Sequence, residues 1–133
     1  MRRRLATFDR ARLARRAEIG ERLAAELPPS LYHPGRRAPV RTHWVFPVVA
    51  GDPTRLVAEL RGQGFDAAPA HATSAIVAVP CPPGRPETEP RAARWLLERV
   101  TFLPAYPELP ERAVQRLLEA VRSADAWCPP VEP

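Results

Sequence analysis

Apolar residues recur at helical spacing in four stretches of the chain, which predicts four helices. The predicted helices span residues 5–27, 53–62, 91–99 and 110–122. Pro28-Pro29 ends the first and longest helix, because proline cannot continue a helical hydrogen-bond ladder. Asp52-Pro53 is a typical helix start, with Asp52 as the N-cap and Pro53 at the first helical position.

Runs of β-branched and aromatic residues between these helices predict strands. The predicted strands span residues 42–49, 65–67, 74–79 and 100–103. Alternation along the first strand places Trp44 and Phe46 on one face and His43 and Val45 on the other. Pro47 in the same run predicts an edge position or a bulge, because proline cannot donate to a sheet ladder.

The order of these elements predicts a small α+β domain behind a long N-terminal helix. We expect an antiparallel or mixed sheet of three or four strands with helices on one face. The predicted organisation is a basic interdomain-type helix over residues 1–29, the α+β domain over 30–123 and a disordered tail over 124–133. Arg12, Arg15 and Arg16 interrupt the apolar stripe of the first helix, so we expect that helix to lie against something larger.

The positive charge of this chain is carried by arginine alone, and no lysine is present. The formal net charge is +5, and residues 1–22 hold eight arginines against three acids. A basic helix of this kind can contact phosphates, so a small basic binding module, with a protein or a nucleic acid as partner, is an alternative function. The interleaved acids and apolar residues favour an interface helix over nucleic-acid binding.

The two cysteines, Cys81 and Cys128, are far apart in sequence and form no CxxC motif. Their spacing therefore predicts neither a structural zinc site nor a disulfide framework, and a reducing cytoplasm is the expected location. No apolar run approaches the roughly 20 residues that span a bilayer, so no membrane association is expected. No catalytic constellation is legible in the sequence.

Three short segments of the chain follow one another in a specific order and spacing: Thr42–Val48 (THWVFPV), Gly64–Asp66 (GFD) and Leu103–Pro107 (LPAYP). In that order and spacing they resemble the C-terminal small domain of DegT/StrS-type aminotransferases. That family has a His-Leu-Phe-Pro-like strand, a helix ending at a Gly-Ile/Phe pair and a Leu-Pro-x-x-Pro turn. Its members are fold-type I pyridoxal-phosphate enzymes that often act on nucleotide-linked keto sugars. The resemblance covers roughly residues 5–122, and it matches the first helix to the helix that joins the family's two domains.

The resemblance implies which residues form sites. Pro69-Ala70-His71 matches the family's Pro-x-His loop, so His71, Thr73 and Ser74 are expected to contact substrate. The expected contacts with a large domain are Leu5, Phe8, Ile19, Leu23, Trp44 and Phe46. No catalytic residue and no metal ligand is assigned to this chain.

Pyridoxal phosphate is implied by the resemblance alone. The cofactor is held through a Schiff base to a lysine amine, and a chain without lysine cannot form that bond. We therefore expect this chain to bind no cofactor covalently and to be inactive by itself. It would be a truncated gene product or one part of a split enzyme. The expected partner is a large aminotransferase domain or a second copy of the chain.

Overall fold

The computed structural model describes residues 9–70, 82–85 and 90–125. Within these ranges the chain forms four helices and three strands. In chain order they are α1 (Arg10–Glu26), β1 (Phe46–Val49), α2 (Pro53–Gly62), β2 (Ala68–Pro69), α3 (Arg91–Arg99), β3 (Val100–Leu103) and α4 (Glu111–Asp125). The predicted α+β fold with a long N-terminal helix is confirmed. The predicted strand over 74–79 lies outside the described residues.

The three strands form one antiparallel sheet in the order β1-β3-β2. Phe46 pairs with Leu103 and Val49 pairs with Val100, which fixes the register of β1 on β3. β1 is therefore an edge strand of the described sheet, as Pro47 predicts. A single antiparallel bridge between Tyr32 and Val49 adds a short piece of the preceding loop beside it.

The main core lies between one face of this sheet and the helices α1, α2 and α4. Phe46 and Val48 point into it from β1, and Leu103 points into it from β3. The helices contribute a larger set of buried apolar residues, which includes Ile19, Leu23, Leu56, Leu60, Val114, Leu117, Leu118 and Val121. On the other face of the sheet Val49 and Val100 pack with Trp95 and Leu96 of α3 in a smaller cluster. The helices thus cover mainly one face, and α3 adds cover to the other.

The helix boundaries follow from local capping. The Asp9 side chain accepts hydrogen bonds from the amides of Ala11 and Arg12, at 2.9 and 3.2 Å, and so caps the start of α1. The Asp52 side chain accepts from the Arg55 amide at 2.9 Å and starts α2 as predicted. The final helix extends to Asp125, beyond its predicted end at residue 122.

Two predicted strands differ from the structure. The run over 42–49 is a strand only from Phe46, and His43 has a positive φ of 48° that turns the chain just before it. The short strand predicted over 65–67 is replaced by β2 at Ala68–Pro69, three residues further along. Phe65 and Ala67 are buried in the main core, so their apolar character reflects packing and not sheet pairing.

Candidate interaction site around Trp44

Trp44 lies in the open beside the edge strand. Trp44 is 79% exposed, although the fully buried Phe46, the first residue of β1, lies only two positions further along the chain. Val45 and Tyr106 are also exposed and lie beside it. With neighbouring residues of β3 and the turn that follows, they line a groove of about 200 Å³, which we call the Trp44 groove. Its full lining is Arg16, Trp44, Val45, Asp66, Phe102, Leu103, Pro104, Ala105 and Tyr106.

The Trp44 groove has a positive and a negative charge on its margin. Arg16 reaches it from α1, and Asp66 reaches it from the loop after α2. Among the described residues, Arg16 has no acidic partner within ion-pair distance. A groove with exposed aromatic side chains and an available guanidinium can accept a partner that offers apolar surface together with a carboxylate.

The other arginines on this side of α1 are paired with acids. Arg12 pairs with Glu108, and Arg15 pairs with Glu111 at 3.3 Å. Arg22 binds Glu111 as well and reaches Glu26 at 2.7 Å. These contacts tie α1 to the start of α4 and engage three of the basic side chains that the sequence places in the first helix. Arg16 differs from these three arginines because no acid among the described residues pairs with it.

A histidine cluster supports the segment that leads to Trp44. The His33 ring stacks on Phe46 with a centroid separation of 4.3 Å and an interplanar angle of 4°. The His43 ring lies 5.5 Å from Phe46 and 6.0 Å from His33. His43 Nε2 donates to Glu21 Oε1 at 3.0 Å, and Arg41 Nη2 donates to Glu21 Oε2 at 2.6 Å. The carboxylate of Glu21 in α1 thus holds two residues of the loop before β1.

The protonation of His33 follows from its contacts. Its Nδ1 lies 2.8 Å from the Pro47 carbonyl oxygen, which can only accept, so Nδ1 carries the hydrogen. Its Nε2 is then the acceptor of a neutral ring, and that atom is buried with no hydrogen-bond partner among the described residues. Burial lowers the pKa of His33, and the nearby His43, Arg41 and Arg36 lower it further, whereas the bond to Pro47 raises it.

Glu21 is held as a carboxylate by the same cluster. The hydrogen bond from His43 is the main cause that lowers the pKa of Glu21, and Arg41 adds to it. Desolvation acts in the opposite direction, because a carboxylate loses some hydration beside the loop. The cluster therefore combines an ionised acid at its rim with a neutral histidine at its centre.

Gly20 makes room for the histidine cluster. A Cβ atom at this position would lie 2.1 Å from Cγ of His43 and 2.6 Å from its Cβ. α1 can therefore approach the loop closely only because residue 20 has no side chain. The close approach also explains how His43 reaches Glu21, the next residue of α1.

A second groove lies over the histidine cluster. It has a volume of about 260 Å³ and is lined by His33, Arg41, His43 and Trp44 among others. Trp44 borders both grooves, and His33 and His43 of the histidine cluster line the second groove beside it. The cluster and the exposed indole are thus parts of one surface. Within the described ranges no group of three metal-ligating side chains comes together.

The structure separates the predicted interface residues into three groups. Ile19, Leu23 and Phe46 are at most 2% exposed and belong to the chain's own core, so their side chains present no surface to a partner. Trp44 is exposed, and its role in an interface stays a prediction. Leu5 and Phe8, and the predicted substrate contacts His71, Thr73 and Ser74, lie outside the described residues.

The sequence named Arg16 only as one of three arginines that interrupt the apolar stripe of the first helix, and it did not single out Tyr106 or His33 as a site residue. Tyr106 belongs to the Leu-Pro-Ala-Tyr-Pro turn, whose place beside β1 depends on the pairing of β1 with β3. No helix among the described residues is long and apolar enough to cross a membrane.

Comparison with known proteins supports the fold that the resemblance of the three sequence segments implies. No protein-family model and no curated protein matches this chain. A DegT DnrJ EryC1 StrS aminotransferase from Brucella abortus matches in structure with a TM-score of 0.69 and 18% identity, over 86% of this chain and 31% of its own. The aminotransferase TlmJ from Streptoalloteichus hindustanus matches with a TM-score of 0.63 and 24% identity, over 94% of this chain and 34% of its own.

At these low sequence identities, the structural matches establish likeness of fold. The chain has the fold of part of a DegT-type aminotransferase and spans about one third of the length of the two solved enzymes. The predicted resemblance is thereby confirmed at the level of the fold.

Proposed function

We propose that this chain serves as the small-domain part of an aminotransferase and works together with a large domain that carries the catalytic lysine and pyridoxal phosphate. The observation that carries the proposal is the extent of the structural match, nearly all of this chain but only a third of each aminotransferase. A sugar-nucleotide substrate, as the sequence resemblance implies, is part of the same proposal. In this arrangement the chain contributes surface and not the reacting amine.

The residues of this chain do not fit pyridoxal phosphate. The cofactor acts as an electron sink once it is held through a primary amine, and none of the basic side chains here is a lysine. Arginine cannot replace it, because the guanidinium stays protonated and is a poor nucleophile. Of the cations beside the two grooves, Arg41 is already bound by Glu21, so among the described residues these grooves gather no cluster of free donors for a phosphate.

We expect no lysine-type attachment of pyridoxal phosphate to this chain. The purified protein would be incubated with the cofactor, reduced with borohydride and mapped by mass spectrometry. A pyridoxyl group is expected on no internal peptide. When an amino donor and a keto acid are added to the protein together with the cofactor, no transamination is expected. The amino terminus is itself an amine that the cofactor can modify, so the N-terminal peptide is scored separately, with an acetylated sample as its control. Transamination by this chain with added cofactor would contradict the proposal.

The Trp44 groove is the surface we assign to the large domain. It joins exposed aromatic side chains to Arg16, a cation without an acidic partner among the described residues, and to Asp66. A domain that buries Trp44 and Tyr106 and offers a carboxylate to Arg16 would complement both features.

Photocrosslinking tests this assignment. Trp44 would be replaced by p-benzoylphenylalanine in the cells that make the protein, with the same replacement at Val40 as a control. Val40 is 83% exposed and borders neither groove, so it matches Trp44 in exposure but not in position. A crosslink from position 44 to a protein with a cofactor-bearing lysine is expected. A crosslink to a second copy of this chain, or equal crosslinking from position 40, would contradict the assignment.

The alternative of a nucleic-acid binding module is supported less well. Its basic patch lies on α1, where Arg12, Arg15 and Arg22 are engaged with acids of the same chain. Phosphate contacts at these three arginines would have to displace those ion pairs, which opposes nucleic-acid binding through them.

A further inference from the structure

The histidine cluster links the Trp44 surface to α1 through hydrogen bonds and ring contacts. Glu21 of α1 binds both Arg41 and His43 of the loop, and His43 and His33 pack on Phe46 at the start of β1. The segment from His33 to Pro47, which includes Trp44, is held between these contacts. At its beginning, the Val49 amide donates to the Tyr32 carbonyl at 2.8 Å and pins the chain to β1.

His33 is the central group, and the basic groups around it disfavour a second proton on the ring. Arg36, Arg41 and His43 face it from the loop, and Glu21 of α1 is engaged by His43 and Arg41. From β1 it meets only the Phe46 ring and the Pro47 carbonyl, which already accepts from Nδ1. A proton on Nε2 would place a second donor in a buried position that offers it no acceptor among the described residues.

We propose that the contacts among Glu21, His33, His43 and Phe46 form an acid-sensitive latch, which holds the segment carrying Trp44 against α1 at neutral pH and releases it under mild acid. The release requires no new ligand: one proton on His33 opposes its burial, because the charged ring would be desolvated and its second donor left without an acceptor among the described residues. The latch would make the shape of both grooves dependent on pH, because Trp44 borders each of them.

The direction of the effect follows from linkage. The lowered pKa of His33 means that the closed segment binds the proton less well than the open one, whose histidine titrates near the ordinary value of about 6.5. Closure is therefore fully favoured above that value and weakens as the pH falls below it. Glu21, whose pKa is lowered, stays ionised over this range and keeps its bonds, so it weakens the latch only at lower pH.

This latch bears on the partner surface of the proposed function, but its test needs only the isolated chain. Long-range proton–nitrogen NMR spectra would give the tautomer and titration of the His33 ring. Hydrogen exchange of the Val49 amide would report opening of the segment, and the Trp44 resonances would report the surface. Failure of the photocrosslinking experiment would leave these measurements unaffected, and the reverse also holds.

We expect His33 to carry its hydrogen on Nδ1 at neutral pH and to titrate below 6.5. Between about pH 7.5 and pH 5.5 the opening constant at Val49 should rise by up to about ten-fold, with a concurrent shift at Trp44. The amide of Leu117, in the core of α4, serves as the reporter of global unfolding. The His33→Asn variant keeps an amide donor for the Pro47 carbonyl but does not titrate, and its Val49 exchange should lose this pH dependence.

Several results would overturn the latch. His33 titrating at or above 6.5, or an Nε2–H tautomer at neutral pH, would contradict the geometry directly in the wild-type chain, whether or not the variant folds. If His33 titrates while the exchange of the Val49 amide or the Trp44 signal stays unchanged, protonation of His33 does not open the segment that carries Trp44. Equal changes at Val49 and Leu117 would mean global unfolding and not local release.

Discussion

Replacing Phe46 with alanine should lower the free energy of unfolding by about 3–5 kcal/mol, whereas Trp44→Ala should change it by no more than about 0.5 kcal/mol. The two aromatic residues are two positions apart in the sequence. Phe46 is fully buried in the main core, and Trp44 is 79% exposed. Urea denaturation followed by circular dichroism would measure both changes under the same conditions.

The size of the Phe46 effect has two sources. Truncation leaves a cavity among residues of α1, α2 and α4 that cannot close fully around a smaller side chain. It also removes the ring on which His33 stacks at 4.3 Å. Phe46→Leu fills most of the volume and should cost about 1.5 kcal/mol or less, so the pair separates loss of volume from loss of the aromatic stack.

Equal costs at the two positions would contradict the structure around β1. A loss above about 2 kcal/mol for Trp44→Ala would mean that the indole is packed within the chain, and the Trp44 groove would then not be available to a partner. Loss of folding in Phe46→Ala is compatible with the prediction, and Phe46→Leu then provides the measurable value.

Much of the fold could be predicted because strong patterns coincide with local signals. The capped start at Asp52-Pro53 and the buried positions Leu56 and Leu60 define α2 from sequence alone. The apolar stripe of Val114, Leu117 and Val121 defines α4 in the same way. The Leu-Pro-x-x-Pro turn and the run Val100–Leu103 place β3 correctly.

The candidate site could be predicted only in part, because it depends on contacts between distant segments. Strand alternation assigned Trp44 and Phe46 to one face, but the positive φ of His43 turns the chain before β1 and sends Trp44 outward. The pairing of Arg12, Arg15 and Arg22 with acids, which distinguishes Arg16, joins α1 to residues near the start of α4 that are about ninety positions away. No local pattern contains that information.

The likeness of fold and the missing lysine bear on different properties of the chain, its structure and its chemistry. Likeness in fold over nearly the whole chain shows how these residues are arranged, and it extends to only a third of each solved aminotransferase. The chemistry of such enzymes needs a lysine side-chain amine, and this chain has no lysine. The proposed function reconciles the two, because it assigns surface to this chain and reaction to its partner.

Gly20→Ala should lower the free energy of unfolding by about 1–3 kcal/mol, even though alanine is the better helix former by about 1 kcal/mol. The new Cβ would lie 2.1 Å from Cγ of His43, at the base of a ring that cannot rotate away without breaking its bond to Glu21. Gly62→Ala is the matched control, because a Cβ there meets nothing within 4 Å. The control should be neutral or more stable in the same urea titration.

A double-mutant cycle identifies the partner of that clash. His43→Gly removes the ring and its Cβ, and glycine accepts the positive φ of 48° without strain. In the His43→Gly background the cost of Gly20→Ala should disappear, and the two changes should show a coupling of about 1 kcal/mol or more. Similar effects of Gly20→Ala in both backgrounds would mean that α1 does not approach the loop through Gly20, and the latch would then lose the contact that brings Glu21 to His43.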